Sequence, residues 1–144
     1  MSELWLPGQE LPRVRRTMTA ERMRWYADAL ETSLAGRSVQ AAPNIHTDDV
    51  IARANGLPGR VADGMITTNW LSNMLVDTFG DAYVHTGSLR TRYRRPIVED
   101  TAVEAVVRVR NVEESRDGPT LVADVWCETD DGERCTVGEA TVRL

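Results

Sequence analysis

PNIHTDDVIARANGLPGRVADGMITTNWLSNMLVDTF, Pro43 to Phe79, is the stretch on which the fold turns. It carries His46, a Gly56-Leu57-Pro58-Gly59 turn, and an Asp63-Gly64 step into the most apolar helical run of the chain. Thr47–Asn55 reads as a short helix: Thr47 is placed to cap it, Asp48 and Asp49 suit its positive end, and Gly56 stops it. Met65–Phe79 reads as a longer one. Ile66, Trp70 and Met74 recur at four, beside Leu71 and Leu75, and Met65 and Val76 widen the stripe. Apolar residues nearly all round predict a helix buried inside the domain rather than laid on its surface.

Working outward, residues 1–16 read as an extended segment, broken at Pro7-Gly8 and Pro12, with Trp5 packing on the outside of the domain or at a subunit contact. Thr17–Leu34 has helical spacing, with Thr19 as cap, Met23, Tyr26, Ala27 and Leu30 on one face, and Gly36 as the stop. Gly80–Gly87 reads as a loop carrying His85. Beyond it the period falls to two. Ser88–Arg95, Thr101–Arg110, Leu121–Thr129 and Thr136–Leu144 alternate as strands, with turns at Arg116–Pro119 and Asp130–Gly132. The last three should pair as an antiparallel meander. Helices first and long antiparallel strands after give an α+β class, and a sheet curled around a central helix is its simplest packing solution.

The 144 residues fit one domain, 1–144. The charge of −5 comes from 17 basic and 22 acidic residues, and every basic residue is arginine. Absence of lysine removes Schiff-base chemistry, and the acidic balance gives no reason to expect nucleic acid. Arg90, Arg92, Arg94 and Arg95 read as a solvated sheet face before a phosphate site. No apolar run spans a bilayer and no leader opens the sequence, so the expectation is a cytoplasmic protein with no membrane partner. Cys127 and Cys135 flank one turn and read as free thiols before a disulfide. Two cysteines alone do not make a metal site, and neither a metal nor another cofactor is expected.

The ordered set Asn44-Ile45-His46-Thr47-Asp48, Ala52, Gly56-Leu57-Pro58-Gly59-Arg60-Val61-Ala62 and Gly64-Met65 resembles the MaoC-like, (R)-specific enoyl-CoA hydratase branch of the hotdog superfamily. Tyr93, Pro96, Ile97 and Asp100, the ending Val137–Val142 and the opening Pro7–Leu11 extend the likeness over nearly the whole chain. The resemblance implies a hotdog fold, a homodimer, and a substrate that is an acyl thioester of coenzyme A or a carrier protein. It implies a hydro-lyase acting across the 2,3 double bond. It assigns His46 as the catalytic acid/base, the Gly64 amide as donor to the thioester oxygen, and Ser72 as a pocket residue, with Asn44 and Met65 beside the substrate. A helix start suits an oxyanion independently of any family, because its amides are free and its dipole end is positive.

The sequence departs from the pattern in one chemically important place. The family aspartate that shares the water with the histidine falls on Ala41. Asp63, where the family has a second histidine, is the nearest replacement, and it is equally placed to cap the following helix. Isomerisation, conjugate cyclisation, thioester hydrolysis and a non-catalytic binding subunit paired with an active homologue therefore stay open beside the hydro-lyase.

Overall fold

The computed structural model of the chain describes residues 4–35 and 42–144, without the side chains of 31–35. The order is β1 (Val14–Thr17), α1 (Ala20–Ala35), α2 (Asp49–Ala54), α3 (Gly64–Phe79), α4 (Asp81–Thr86), β2 (Ser88–Tyr93), β3 (Ala102–Glu113), β4 (Thr120–Thr129) and β5 (Arg134–Arg143). The strands form one antiparallel sheet in the order β1-β3-β4-β5-β2. α3 packs against β2, β3, β4 and β5. This is the α+β hotdog arrangement expected from the sequence.

Period-two alternation explains the core. Val103, Ala105, Val107 and Val109 of β3, and Leu121, Ala123, Val125 and Cys127 of β4, are buried together with Ile66, Trp70, Leu71, Met74 and Leu75 of α3. The opposite face of the sheet is charged, and Arg108 and Arg134 lie over the Trp126 ring at 4.8 and 4.0 Å. These two stacked guanidinium groups cover an indole that would otherwise face water. Glu10 bonds both Arg13 and Arg108, which hold its carboxyl down at about 2.

Two close approaches tie the sheet to itself and to α3. Thr91 of β2 is paired with Gly138 of β5, and a Cβ at Gly138 would lie 2.0 Å from the Arg90 carbonyl oxygen. The hydroxyl of Thr67, fully buried on α3, donates to the Gly64 carbonyl at 2.7 Å and meets the Thr136 hydroxyl at 2.8 Å. A hydroxyl has one proton, so Thr136 must be the donor of the second bond.

Several expectations need correction. The segment before α1 is not merely extended: Val14–Thr17 pairs with β3, a partner 85 or more residues away that no local pattern reveals. His85 lies on the short helix α4, exposed, rather than in a loop. α2 is capped by Asp48, whose carboxylate accepts from the Ile51 amide at 2.9 Å, and not by Thr47. Leu30 does not share the burial of Met23 and Ala27; it is 46% exposed. α3 is not buried all round, since Met65 and Val76 are 43% and 38% exposed. Among the described residues a single sheet packs on the helix, and it leaves these two side chains uncovered. Trp5 is half-buried against Phe79, with ring centroids 5.2 Å apart. The expected helix stop at Gly36 and the Ala41 position lie outside the described residues. Among the described residues, no helix is long and apolar enough to cross a membrane.

Cys127 and Cys135 are free and buried, and burial raises both thiols above their ordinary range. A thiol reagent at neutral pH should leave both unlabelled in the folded protein and label both after denaturation, as absorbance titration would show. Gly138→Ala should lower stability by about 2 kcal/mol or more through the backbone clash, measured by denaturant unfolding.

Candidate active site

The loop before α2 is shaped by its own side chains. The Asn44 side-chain oxygen accepts from the His46 amide at 2.8 Å, and its NH2 group donates to the Ala42 carbonyl at 3.1 Å. The Thr47 hydroxyl accepts from the Asn44 amide at 3.1 Å. This is an Asx-type turn, in which a short polar side chain substitutes for backbone partners. Asn44 is thus engaged with the loop on both of its polar atoms.

The turn is docked on Val61. The Val61 amide donates to the Ile45 carbonyl at 3.2 Å, and the Val61 carbonyl sits 2.7 Å from Nδ1 of His46. A carbonyl only accepts, so Nδ1 carries the proton in this bond. In the neutral ring that leaves Nε2 as the basic nitrogen. Val61 itself is held by a short antiparallel bridge to Val98. On either side of it, Ala62 donates to Ile97 at 2.8 Å, Glu99 donates to Arg60 at 3.0 Å, and the Arg60 guanidinium forms two bonds of 2.7 Å to the Glu99 carboxylate.

Two residues after Val61, Asp63 caps α3: its carboxylate accepts from the Met65 amide at 2.9 Å. The capping role anticipated for Asp63 is the one its geometry displays. The Ile66 amide bonds the Asp63 carbonyl, so both neighbouring amides of the first turn are occupied. The Gly64 amide has no partner among the described residues. Above Gly64 stands Tyr93, close enough that a Cβ on Gly64 would come within 2.6 Å of the ring. The Tyr93 hydroxyl bonds Thr68 at 2.8 Å and donates to the Met65 sulfur at 3.1 Å.

His46, Asn44 and Asp63 line one cleft of about 140 Å³, walled by Met23, Tyr26 and Leu30. Gly64 lines a neighbouring cleft of about 220 Å³, with Tyr93, Arg94 and Arg95 at its side. Consecutive residues, Asp63 and Gly64, line the first and the second. Met65 and Ser72 lie on neither wall; helical spacing puts them on the exposed stripe of α3 with Val76. Asp63 shares a cleft with His46, yet among the described residues no carboxylate lies within 4 Å of a His46 ring nitrogen. A larger groove, about 700 Å³, is on the outer sheet face among Arg90, Arg92, Arg110 and Glu139. It has neither a histidine nor a helix start, so the chemistry places the candidate site at the smaller clefts. Among the described residues no three His, Cys, Asp or Glu side chains gather to hold a metal. Tyr26 and Tyr93 were not singled out as site residues by sequence spacing, because a tyrosine on an apolar helix face or a strand reads first as core.

The MaoC like domain family model matches residues 35–138. No curated protein matches the chain. Among solved structures, the (R)-hydratase from A. caviae involved in PHA biosynthesis is similar, with a TM-score of 0.74 and 19% identity over 100% of this chain and 99% of that one. A MaoC-like dehydratase from Rhodospirillum rubrum gives 0.73 and 15% over 95% and 90%. The C-terminally truncated HadBC (3R-hydroxyacyl-ACP dehydratase) complex from Mycobacterium tuberculosis gives 0.69 and 18% over 94% and 95%. At these identities the likeness to the solved structures is one of fold.

The cap makes a separable prediction. Asp63→Ala should cost about 1 kcal/mol in denaturant unfolding, while Asp63→Asn, which keeps a capping oxygen, should cost a few tenths at most.

Proposed function

Because the chain belongs to the MaoC-like domain family, we propose that it adds water to, or removes water from, an acyl thioester of coenzyme A or a carrier protein. The observation that carries this reading is the His46 ring, with Nδ1 committed to the Val61 carbonyl and Nε2 left basic in a cleft lined by Asp63, the residue next to the unpartnered Gly64 amide. A proton mover and an oxyanion donor are the minimum for chemistry beside a thioester carbonyl.

In the hydration direction, Nε2 takes a proton from water as the water oxygen bonds C3. The C2–C3 π pair moves to C2 and onto the thioester oxygen, where the Gly64 amide receives the charge. The enolate then takes the proton from the imidazolium at C2. The reverse sequence removes water. The positive end of α3 supports the same charge. The thioester's acyl chain is assigned to the exposed stripe of α3, along Met65 and Ser72, with Asn44 holding the loop that presents His46.

A second reading follows from the missing neighbour of His46. Isomerisation or conjugate cyclisation needs a single proton mover and the same oxyanion donor, so it is served without a carboxylate. Thioester hydrolysis is less favoured, because Asp63 is engaged with the Met65 amide rather than free to direct water. The open stripe of α3 supports a homodimer in which a second copy covers it. A sedimentation measurement should then give twice the mass of the 144-residue chain.

The test is to offer crotonyl-type thioesters to the purified protein and follow the enoyl chromophore. Loss of the chromophore is expected, with His46→Ala slower by about a hundredfold or more. No turnover at any chain length, or free thiol released with the double bond intact, would remove the hydro-lyase reading.

A further inference from the structure

Tyr26 of α1 is three residues from the fully buried Met23 and is itself half-buried. Its ring lines the same cleft as His46, Asn44 and Asp63. The polar groups around it are largely spoken for. Asn44 is bonded to the His46 amide and the Ala42 carbonyl, Asp63 to the Met65 amide, and His46 Nδ1 to Val61. The Tyr26 hydroxyl has no hydrogen-bond partner among the described residues. A phenol half removed from water and left unpaired costs free energy unless something that enters the cleft satisfies it.

Resting on the hydro-lyase reading, we infer that the Tyr26 hydroxyl is a further catalytic group of this cleft, donating a hydrogen bond to the oxygen that is added or removed while His46 Nε2 handles its proton. Burial, then the charge of Asp63 and the proximity of Tyr93, hold the phenol above its ordinary range, so it keeps its proton and acts as a donor rather than a base. The pair is complementary: water gives a proton to Nε2 and accepts one bond at its oxygen from the phenol.

In dehydration the C2–H bond breaks and its proton goes to Nε2, with the charge resting on the thioester oxygen at Gly64. The C3–O bond then breaks, and the departing oxygen takes the proton from Nε2 and leaves as water. Tyr26 donates to that oxygen throughout and ends with the proton it began with. The donor stabilises the hydroxide-like oxygen of the transition state, which is the same from either direction. With no carboxylate within 4 Å of a His46 ring nitrogen among the described residues, and Asp63 engaged by the Met65 amide, the phenol is the remaining side chain of this cleft suited to fixing that oxygen.

The experiment compares wild type, Tyr26→Phe, His46→Ala and the double variant on crotonyl and 3-hydroxybutyryl thioesters, with thermal unfolding of each. Tyr26→Phe should lower kcat about tenfold or more with KM changed less than about threefold, as expected for a bond made in the transition state. Because both groups act on one oxygen, the double variant should be no slower than His46→Ala alone, whereas a structural effect would multiply through. An active wild type with unchanged kcat in Tyr26→Phe, or multiplicative losses in the double variant, overturns the role of Tyr26 alone. A wild type without turnover on any of these thioesters removes the hydro-lyase reading and this role with it.

Discussion

The backbone of Val61 is the constraint on which the site depends. Its amide holds the loop through Ile45, its carbonyl holds the ring of His46, and its bridge to Val98 anchors both to the turn before β3. Two residues later α3 begins. The distance between the histidine and the helix start is therefore set by one short run of extended backbone, not by flexible side chains. Backbone hydrogen bonds suit that purpose because their geometry is directional and cannot be lost by a rotamer change.

The edge strand β2 supplies the second constraint. It lies against Gly138 with no room for a side chain, and its last residue, Tyr93, covers Gly64 in the same way. Two glycines thus let β2 approach β5 on one side and the start of α3 on the other. The buried Thr67–Thr136 pair fixes the same helix turn to β5 from within the core. The Gly64 amide is left unpaired by this framework, while its neighbours are capped. The first amides of any helix lack an intrahelical partner, and in α3 the caps leave Gly64 as the open one.

Much of the architecture is legible locally. The alternation of Val103–Val109 and Leu121–Cys127, the four-residue spacing of Ile66, Trp70 and Met74, and the turn residues between strands state the class and the order of the principal elements. The ordered His46, Gly64 and Met65 motif resembles a known family, and the family match over residues 35–138 agrees. The two missed elements had no such pattern: β1 is four residues rich in arginine, and α4 is a single short helix between glycines.

What the sequence determined by itself is the periodic and covalent part: which residues can share a face, where the chain must turn, that no lysine is present, and that Asp63 precedes a helix start. Only the tertiary structure decided which side of α3 stays open, which nitrogen of His46 is committed, and that Tyr26 lines the His46 cleft while Tyr93 covers Gly64. Those facts depend on segments tens of residues apart meeting in space, and neither periodicity nor propensity carries that information. The histidine was visible as a residue type in a motif; its tautomer came from a carbonyl fifteen positions away.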